Sequence, residues 1–482
     1  MRRVIVTALA LAGLAGAAPK SQAPLEAVGV TRVTRPGVTV KGTPAAYNVS
    51  ITVRYARTAK PRTILVLMPG FLGGAVSFDR LARQIVTLDP TVAVWAVDRR
   101  SNALEAQQAV AKADRATLAR ISRDGLPARN TSSLAFMQDW GLDVTLRDWR
   151  AAVLEARKLT PNVFIGGHSL GAAMAGLYAA YDFDGRAGAR DVRGIVMLDG
   201  VPGSSLGRQI SEAEYDGGYT LSFARATGRR DLASNPFVSL DFYNPVRAAR
   251  GAAQARLAAL DPNGVSPSGL TRYPATNLAA AMLQLEKRYA VLPFLSVTTG
   301  RASNVRESYL LPALLVGGAR GAEARDAFNV LDPSKPAGWT QDPGAPTDAR
   351  DFVGRFWRPY GDFVEWYFPQ RLTLDMSACG LDSSKLNWLR GVRLWHTAEV
   401  NVPMLGVVAQ NGIASEDEFR AYAKRTRAPL TTFVASGYAH LDVVTARSDL
   451  VARRVLGWMR SALDPDLGGL PAPTDVNAVG GE

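Results

Sequence analysis

Residues 162–181 read NVFIGGHSLGAAMAGLYAAY, and the rest of the chain is best understood outward from them. Val163-Phe164-Ile165 is a short apolar run of the kind that fills a buried parallel strand, while Ala172 to Tyr181 spaces Ala, Met, Leu and Tyr as a helix does. Gly167-His168-Ser169-Leu170-Gly171 lies between them, so the chain must reverse within a few residues. Such a reversal strains the backbone at its apex, and glycine two positions either side of Ser169 removes the Cβ atoms that would collide there. The pattern is G-x-S-x-G in a strand-turn-helix context, a nucleophile elbow that lifts a serine hydroxyl above the sheet edge. It also aims the N–H of Leu170 and the positive end of the helix at whatever oxygen the attack would leave charged.

The flanking sequence supplies the sheet around that elbow. Val49, Ile51 and Val53 fall on one face of Tyr47 to Tyr55, which with Gly37 to Lys41 suits a half-buried antiparallel pair. Residues Lys20 to Pro36 are expected to be an exposed lead-in. Thr63 to Met68 and Val92 to Val97 are near-continuous apolar runs, as strands covered on both faces require. The first runs into Pro69-Gly70-Phe71-Leu72-Gly73-Gly74, a loop whose N–H groups can face a ligand without side-chain obstruction. Its expected role is a second oxyanion donor, from Phe71 or its neighbour Leu72. Ser77 to Leu88 reads as a helix, and Leu142, Leu146, Trp149, Val153 and Ala156 make an amphipathic one that feeds the elbow strand. Ser101 to Gly141 is longer than an ordinary connection and is expected to form one rim of the site. Gly194 to Leu198 is a fourth buried strand, ending at Asp199-Gly200-Val201-Pro202. Strands alternating with helices imply a mostly parallel sheet, whose ligands bind beyond the carboxyl ends of the strands.

That regular alternation stops at about Ser204. Residues 204–395 hold helical pieces, among them one opened by Asn244 as N-cap with Pro245 behind it and another over Leu278 to Tyr289. Aromatics cluster at Tyr309-Leu310-Leu311-Pro312, Phe356-Trp357-Arg358-Pro359-Tyr360 and Trp366-Tyr367-Phe368. This reads as a large, mainly helical cap inserted before the last two strands, closing the site and lining an apolar pocket, although any one of these aromatics is first a candidate for the cap's own core. The sheet resumes at Val402 to Val408. Ser415 and Glu418 then form a capping box at the start of a helix, and Leu430 to Val434 is the last strand. A closing helix carries Val451, Val455, Trp458 and Met459 inward. The domain reading is therefore a core of residues 25–203 and 396–465, a cap of 204–395, and a disordered tail of 466–482 rich in Gly and Pro.

Composition narrows the function. With 482 residues and 47% hydrophobic content the chain can fill a large core. Arg2-Arg3 ahead of Val4 to Ala18, with Ala15-Gly16-Ala17 as a small-residue cleavage site, reads as a signal peptide over residues 1–18. A secreted, periplasmic or envelope-associated protein with no integral span after its removal is expected. Cys379 is the only cysteine, so no intrachain disulfide forms, and it is expected to be a small buried residue. The formal charge of +13 is dispersed rather than clustered, which argues against nucleic acid and suits an anionic cell-envelope surface as a partner.

At this point the chain resembles the α/β-hydrolase superfamily, through the elbow Gly167-His168-Ser169-Leu170-Gly171, the loop Pro69-Gly70-Phe71 and the late Gly437-Tyr438-Ala439-His440, in that order. The resemblance implies a mostly parallel sheet flanked by helices, with Ser169 as nucleophile and His440 as its base; the elbow and the Gly-rich loop make Leu170 and Phe71 the expected oxyanion donors. Chemistry asks for the same pairing, because a serine hydroxyl needs a positioned acceptor that titrates near neutrality. Of the three histidines, His168 adjoins the nucleophile and reads as a packing residue, and His396 as a structural hydrogen-bonder. The acid is the open member. The superfamily's usual place falls near Ala409-Gln410-Asn411-Gly412, where Asn411 stands instead of Asp. Glu416 and Asp417 follow in the first turn of a helix, where acidic residues have an ordinary dipole role. Asp199 looks like the variant placement of pancreatic-type lipases and is preferred, with Glu416, Asp417 and Asn411 as alternatives. Asp442 reads as a cap for the final helix.

Serine rather than aspartate at the elbow favours acyl transfer over dehalogenase or epoxide chemistry. A secreted carboxylic ester hydrolase, esterase-like or lipase-like, acting on a small-molecule, lipid or polymer ester is the expectation. A peptidase or amidase on the same triad, and an envelope protein that binds without turnover, are the alternatives. No metal or cofactor is implied, since HExxH, Cys/His clusters and dinucleotide fingerprints are missing from the sequence.

Overall fold

The computed structural model describes residues 25–203, 208–220, 225–271, 273–290, 295–305, 331, 332, 334–389 and 391–464. The signal-peptide reading, the tail and Tyr309 to Pro312 lie outside them. Eight strands form one sheet: β1 Gly29–Pro36, β2 Val49–Ala56, β3 Thr63–Met68, β4 Val92–Asp98, β5 Val163–His168, β6 Ile195–Leu198, β7 Met404–Asn411 and β8 Leu430–Ala439. Their spatial order is β1-β2-β4-β3-β5-β6-β7-β8. β1 pairs antiparallel with β2 and β2 antiparallel with β4, while every pairing from β4 to β8 is parallel.

Alternation along the central strands divides the core in two. Ile64, Val66 and Met68 face one cluster, with helices Leu142–Arg157 and Leu170–Ala180 on that side. Leu65 and Leu67 face the other, against helices Asp79–Leu88 and Leu450–Leu463. Both faces are covered, which is why β3 is buried at every position. The elbow helix is buried on all sides but Leu170, and its Ala and Gly residues allow the close approach that this demands: a Cβ on Gly176 would lie 2.2 Å from the Pro202 ring.

The expected lead-in is partly sheet. Gly29–Pro36 is a full strand in register with Val49–Ala56, whereas residues 37–41 form none. There the backbone is tied by side chains instead, Val38 N–H to Asp148 (2.9 Å) and Val40 N–H to Asn48 (3.0 Å). β1 is an edge strand rich in Thr and Arg, so its sequence carries little apolar alternation. Two further boundaries move. The helix expected over Leu278 to Tyr289 spans only Asn277–Met282, and the last strand runs on to Ala439, one residue short of His440.

Between β6 and β7 the insertion does not stand apart from the rest. Helix Gln370–Cys379 contributes Leu372, Leu374 and Met376 to the main core, and Cys379 is buried there as a free thiol donating to the Met376 carbonyl (3.8 Å). Helix Pro245–Leu260, capped by Asn244 and opened by Pro245, packs Ala248 and Ala249 against Leu118 and Ile121 of the segment that precedes the elbow strand. Among the described residues no helix is long and apolar enough to cross a membrane.

Candidate active site

Ser169 stands between β5 and the elbow helix at φ 59°, ψ −124°, a conformation that few non-glycine residues adopt. Its N–H donates to the Leu198 carbonyl at 2.9 Å, which ties the apex to the neighbouring strand. The glycines are sterically required. A Cβ on Gly171 would lie 1.9 Å from the Met68 carbonyl oxygen, and one on Gly167 would lie 2.3 Å from the Gly171 carbonyl. A Cβ on Gly200 would meet the Ser169 carbonyl oxygen at 2.1 Å. Strand ends β3, β5 and β6 are thus pressed together around the serine.

Gly70, at the end of β3, lies directly against it: a Cβ there would be 2.9 Å from Ser169 Cβ and 3.4 Å from its Oγ. Residues 70–73 form a four-residue turn, closed by the Gly73 N–H on the Gly70 carbonyl (3.2 Å) with Leu72 at φ 58°, as in a type II turn. Among the described residues neither the Phe71 nor the Leu170 N–H meets an acceptor. Both N–H groups are thus left free in the segments that flank the strained serine. Phe71 also packs edge-on to Phe368, with ring centroids 4.9 Å apart. Of the aromatics singled out in the insertion, Trp357, Trp366 and Tyr367 join a core shared with Leu104, Leu118 and Trp140, and the Tyr360 hydroxyl donates to Asp79 (2.6 Å).

On the other flank, Asp199 follows β6 at φ 47° and is fully buried. His440 Nδ1 is 2.6 Å from Asp199 Oδ2, with Nε2 on the opposite edge of the ring. Three backbone N–H groups also donate to the carboxylate, from Ala409 (3.0 Å), Ile413 (3.1 Å) and Ala414 (3.3 Å). Burial alone would raise the Asp199 pKa. The hydrogen bond and charge of His440, with the N–H donors, outweigh burial and hold it below the usual carboxylate value.

The turn after β7 therefore serves the acid rather than supplying it. A Cβ on Gly412 would lie 2.0 Å from Asp199 Oδ2, so glycine there makes the room that the carboxylate occupies. Asn411 is exposed at the strand end, Glu416 pairs with Thr432 and Arg420, and Asp417 is 94% exposed beside Arg420. None of these three alternatives bonds His440. Gly412 could have been singled out from Asn411-Gly412 at a strand end, but its partner could not.

The other histidines separate clearly. His168 Nε2 lies 2.9 Å from the His440 carbonyl, and its ring packs against that of His440 with centroids 4.3 Å apart and planes inclined by 33°. Burial and the neighbouring His440 push its pKa down to about 3, so it is neutral and donates to that carbonyl. His396 bonds Asp182 and Glu399, both at 3.0 Å. Asp442 departs from its expected capping role. Its carboxyl accepts from the Ala439 N–H (2.8 Å), the Thr298 N–H (3.1 Å) and the Thr347 hydroxyl (2.7 Å), joining the His440 loop to the insertion. Burial raises its pKa to about 6. No cluster of three or more His, Cys, Asp or Glu suited to a metal occurs among the described residues.

No protein-family model matches the chain, and no curated protein matches its sequence. Among solved structures it is similar to a candidate lipase from Sulfolobus solfataricus, at 14% identity over 92% of this chain and 98% of that one, with a TM-score of 0.48. A thermophilic esterase from Thermogutta terrifontis matches at 13% identity over 90% and 99%, TM-score 0.36. A loop variant of a haloalkane dehalogenase from Bradyrhizobium elkanii matches at 12% over 91% and 99%, TM-score 0.36. With its eight-stranded, mostly parallel sheet, strand order and strained serine at the strand-to-helix turn, the chain has the α/β-hydrolase fold.

Proposed function

We propose that the protein is a serine hydrolase that cleaves carboxylic esters through an acyl-enzyme, and that it acts outside the cytoplasm. The observation that carries this reading is the buried Asp199–His440 pair (2.6 Å), whose imidazole packs against His168, the residue preceding the elbow serine. Ser169 attacks the ester carbonyl as His440 Nε2 takes its proton, and Asp199 stabilises the imidazolium that forms. The N–H groups of Phe71 and Leu170 hold the oxyanion. His440 then protonates the leaving alcohol, and water, activated by the same imidazole, releases the acid. Among the described residues of the insertion, Phe368 packs on Phe71 beside the serine and would contact a bound acyl group, and the dispersed charge of +13 favours work at an anionic envelope surface.

Purified protein tested on p-nitrophenyl esters of graded chain length, beside aminoacyl anilides and a fluorophosphonate probe, decides the matter. Ester turnover with labelling at Ser169 is expected, and Ser169→Ala should lower kcat by about 10⁴-fold or more and abolish labelling. Anilide cleavage without ester turnover would replace the reading with an amidase, and neither turnover nor labelling would leave a binding protein.

A further inference from the structure

We propose that Arg99 is a positioning residue that holds the oxyanion-hole peptide in its productive orientation, with Glu365 of the insertion holding Arg99; this rests on the ester-hydrolase reading above. Arg99 follows β4 and is 3% exposed. Its Nη1 donates to the Pro69 carbonyl (3.0 Å), and its Nη2 to the carbonyls of Gly70 (2.9 Å) and Gly73 (2.7 Å). Nε donates to Glu365 Oε2 at 2.6 Å, and the guanidinium lies 4.7 Å over the Phe368 ring, which itself packs on Phe71.

The Gly70 contact is the informative one. A trans peptide is planar, so the Gly70 carbonyl and the Phe71 N–H point in opposite directions. Anchoring that carbonyl on Arg99 turns the Phe71 N–H away from the guanidinium, in a loop whose Gly70 already abuts Ser169. A flipped peptide would present a carbonyl oxygen where the oxyanion develops and would strand a buried guanidinium N–H. Leu72, at φ 58°, gives this turn a reason to relax, and Glu365 opposes relaxation twice: its N–H donates to the Leu72 carbonyl (2.9 Å), and its carboxylate takes Arg99 and the Ser101 hydroxyl. A neutral or shorter side chain at position 99 cannot span three carbonyls and a carboxylate at once.

The test compares Arg99→Lys with Glu365→Gln and with Arg100→Lys. Arg100 is an equally buried arginine next door that bonds Asp148 and the Val38 carbonyl rather than the 69–73 loop. Each variant is assayed for ester turnover, for binding of a trifluoromethyl ketone that forms an anionic tetrahedral adduct with serine, and for thermal unfolding. Arg99→Lys should lower kcat by about 10- to 100-fold with KM changed less than about twofold, and should weaken ketone binding by the same factor as kcat. Arg100→Lys should lower the melting temperature while leaving kcat within about twofold. If Arg99→Lys does not fold, Glu365→Gln decides, with about a tenfold loss in kcat and in ketone affinity expected. A folded Arg99→Lys, or failing that Glu365→Gln, with kcat and ketone affinity retained overturns the proposal, as does an equal kcat loss in Arg100→Lys. An active wild type with those results removes only the role of Arg99, whereas a wild type that turns over no ester removes the hydrolase reading with it.

Discussion

Two sets of buried carboxyl groups stand on opposite flanks of Ser169, and burial alone does not decide their charge. Asp199, on the His440 flank, receives three backbone N–H donors and an imidazole, and its pKa is lowered despite the desolvation that opposes this. On the flank of the 70–73 loop, Glu105, Asp362 and Glu365 lie close to one another and to Asp98. Desolvation raises all three, Asp362 to about 7 and Glu105 well above the usual carboxylate range, with repulsion from Asp98 adding to it. The carboxylate that meets the His440 imidazole is held in its charged form. On the loop flank desolvation shifts the acids the other way, although Arg99 and Ser101 oppose it at Glu365.

Amide substitutions break or sharpen that contrast. Asp199→Asn should cost about 10³- to 10⁴-fold in kcat with the fold intact, because the amide neither stabilises imidazolium nor fixes the tautomer; steady-state ester kinetics beside circular dichroism checks this. Next comes His168, which shares the Asp199 pocket. Its pKa is about 3 in the folded protein against 6.5 unfolded, so between those values the unfolded chain binds the extra proton and folding stability falls as pH drops. His168→Gln removes that loss. Relative to wild type, the variant should gain about 2 kcal/mol on going from pH 8 to pH 5, measured by urea unfolding at each pH. Glu105→Gln, on the flank where burial raises the carboxyl pKa values, should change stability by less than about 1 kcal/mol, since Gln mimics a neutral carboxyl; a loss as large as a buried unpaired charge produces would show that Glu105 is ionised. The smallest effect is expected from Glu416→Gln and Asp417→Asn, which should leave kcat within about twofold and so separate the acid that bonds His440 from the two that do not.

Much of this arrangement was legible in residue order. Gly167, Gly171 and the apolar runs on each side mark a sharp turn between buried elements, and the structure supplies the collisions that any Cβ there would cause. Asn244 with Pro245 and Ser415 with Glu418 cap helices as expected, because caps are local chemistry. β1 was hidden by its Thr and Arg content, since an edge strand needs no apolar alternation. Asp442 misled for a related reason: its place ahead of the final helix suggested a cap, while it opens a short helix of its own and its partners Thr298 and Thr347 come from more than 90 residues away.

Local order alone determined the sheet's alternation, the elbow and the short list of acids, because each follows from the period, size or dihedral range of adjacent residues. Tertiary structure decided which acid meets His440, that Gly412 clears space for it, and that Arg99 reaches back across the 70–73 loop to Glu365. Those choices join strand ends from 29 to 266 positions apart. A hydrogen bond across such a gap is set by where the sheet brings the chain together, which no spacing in the sequence encodes.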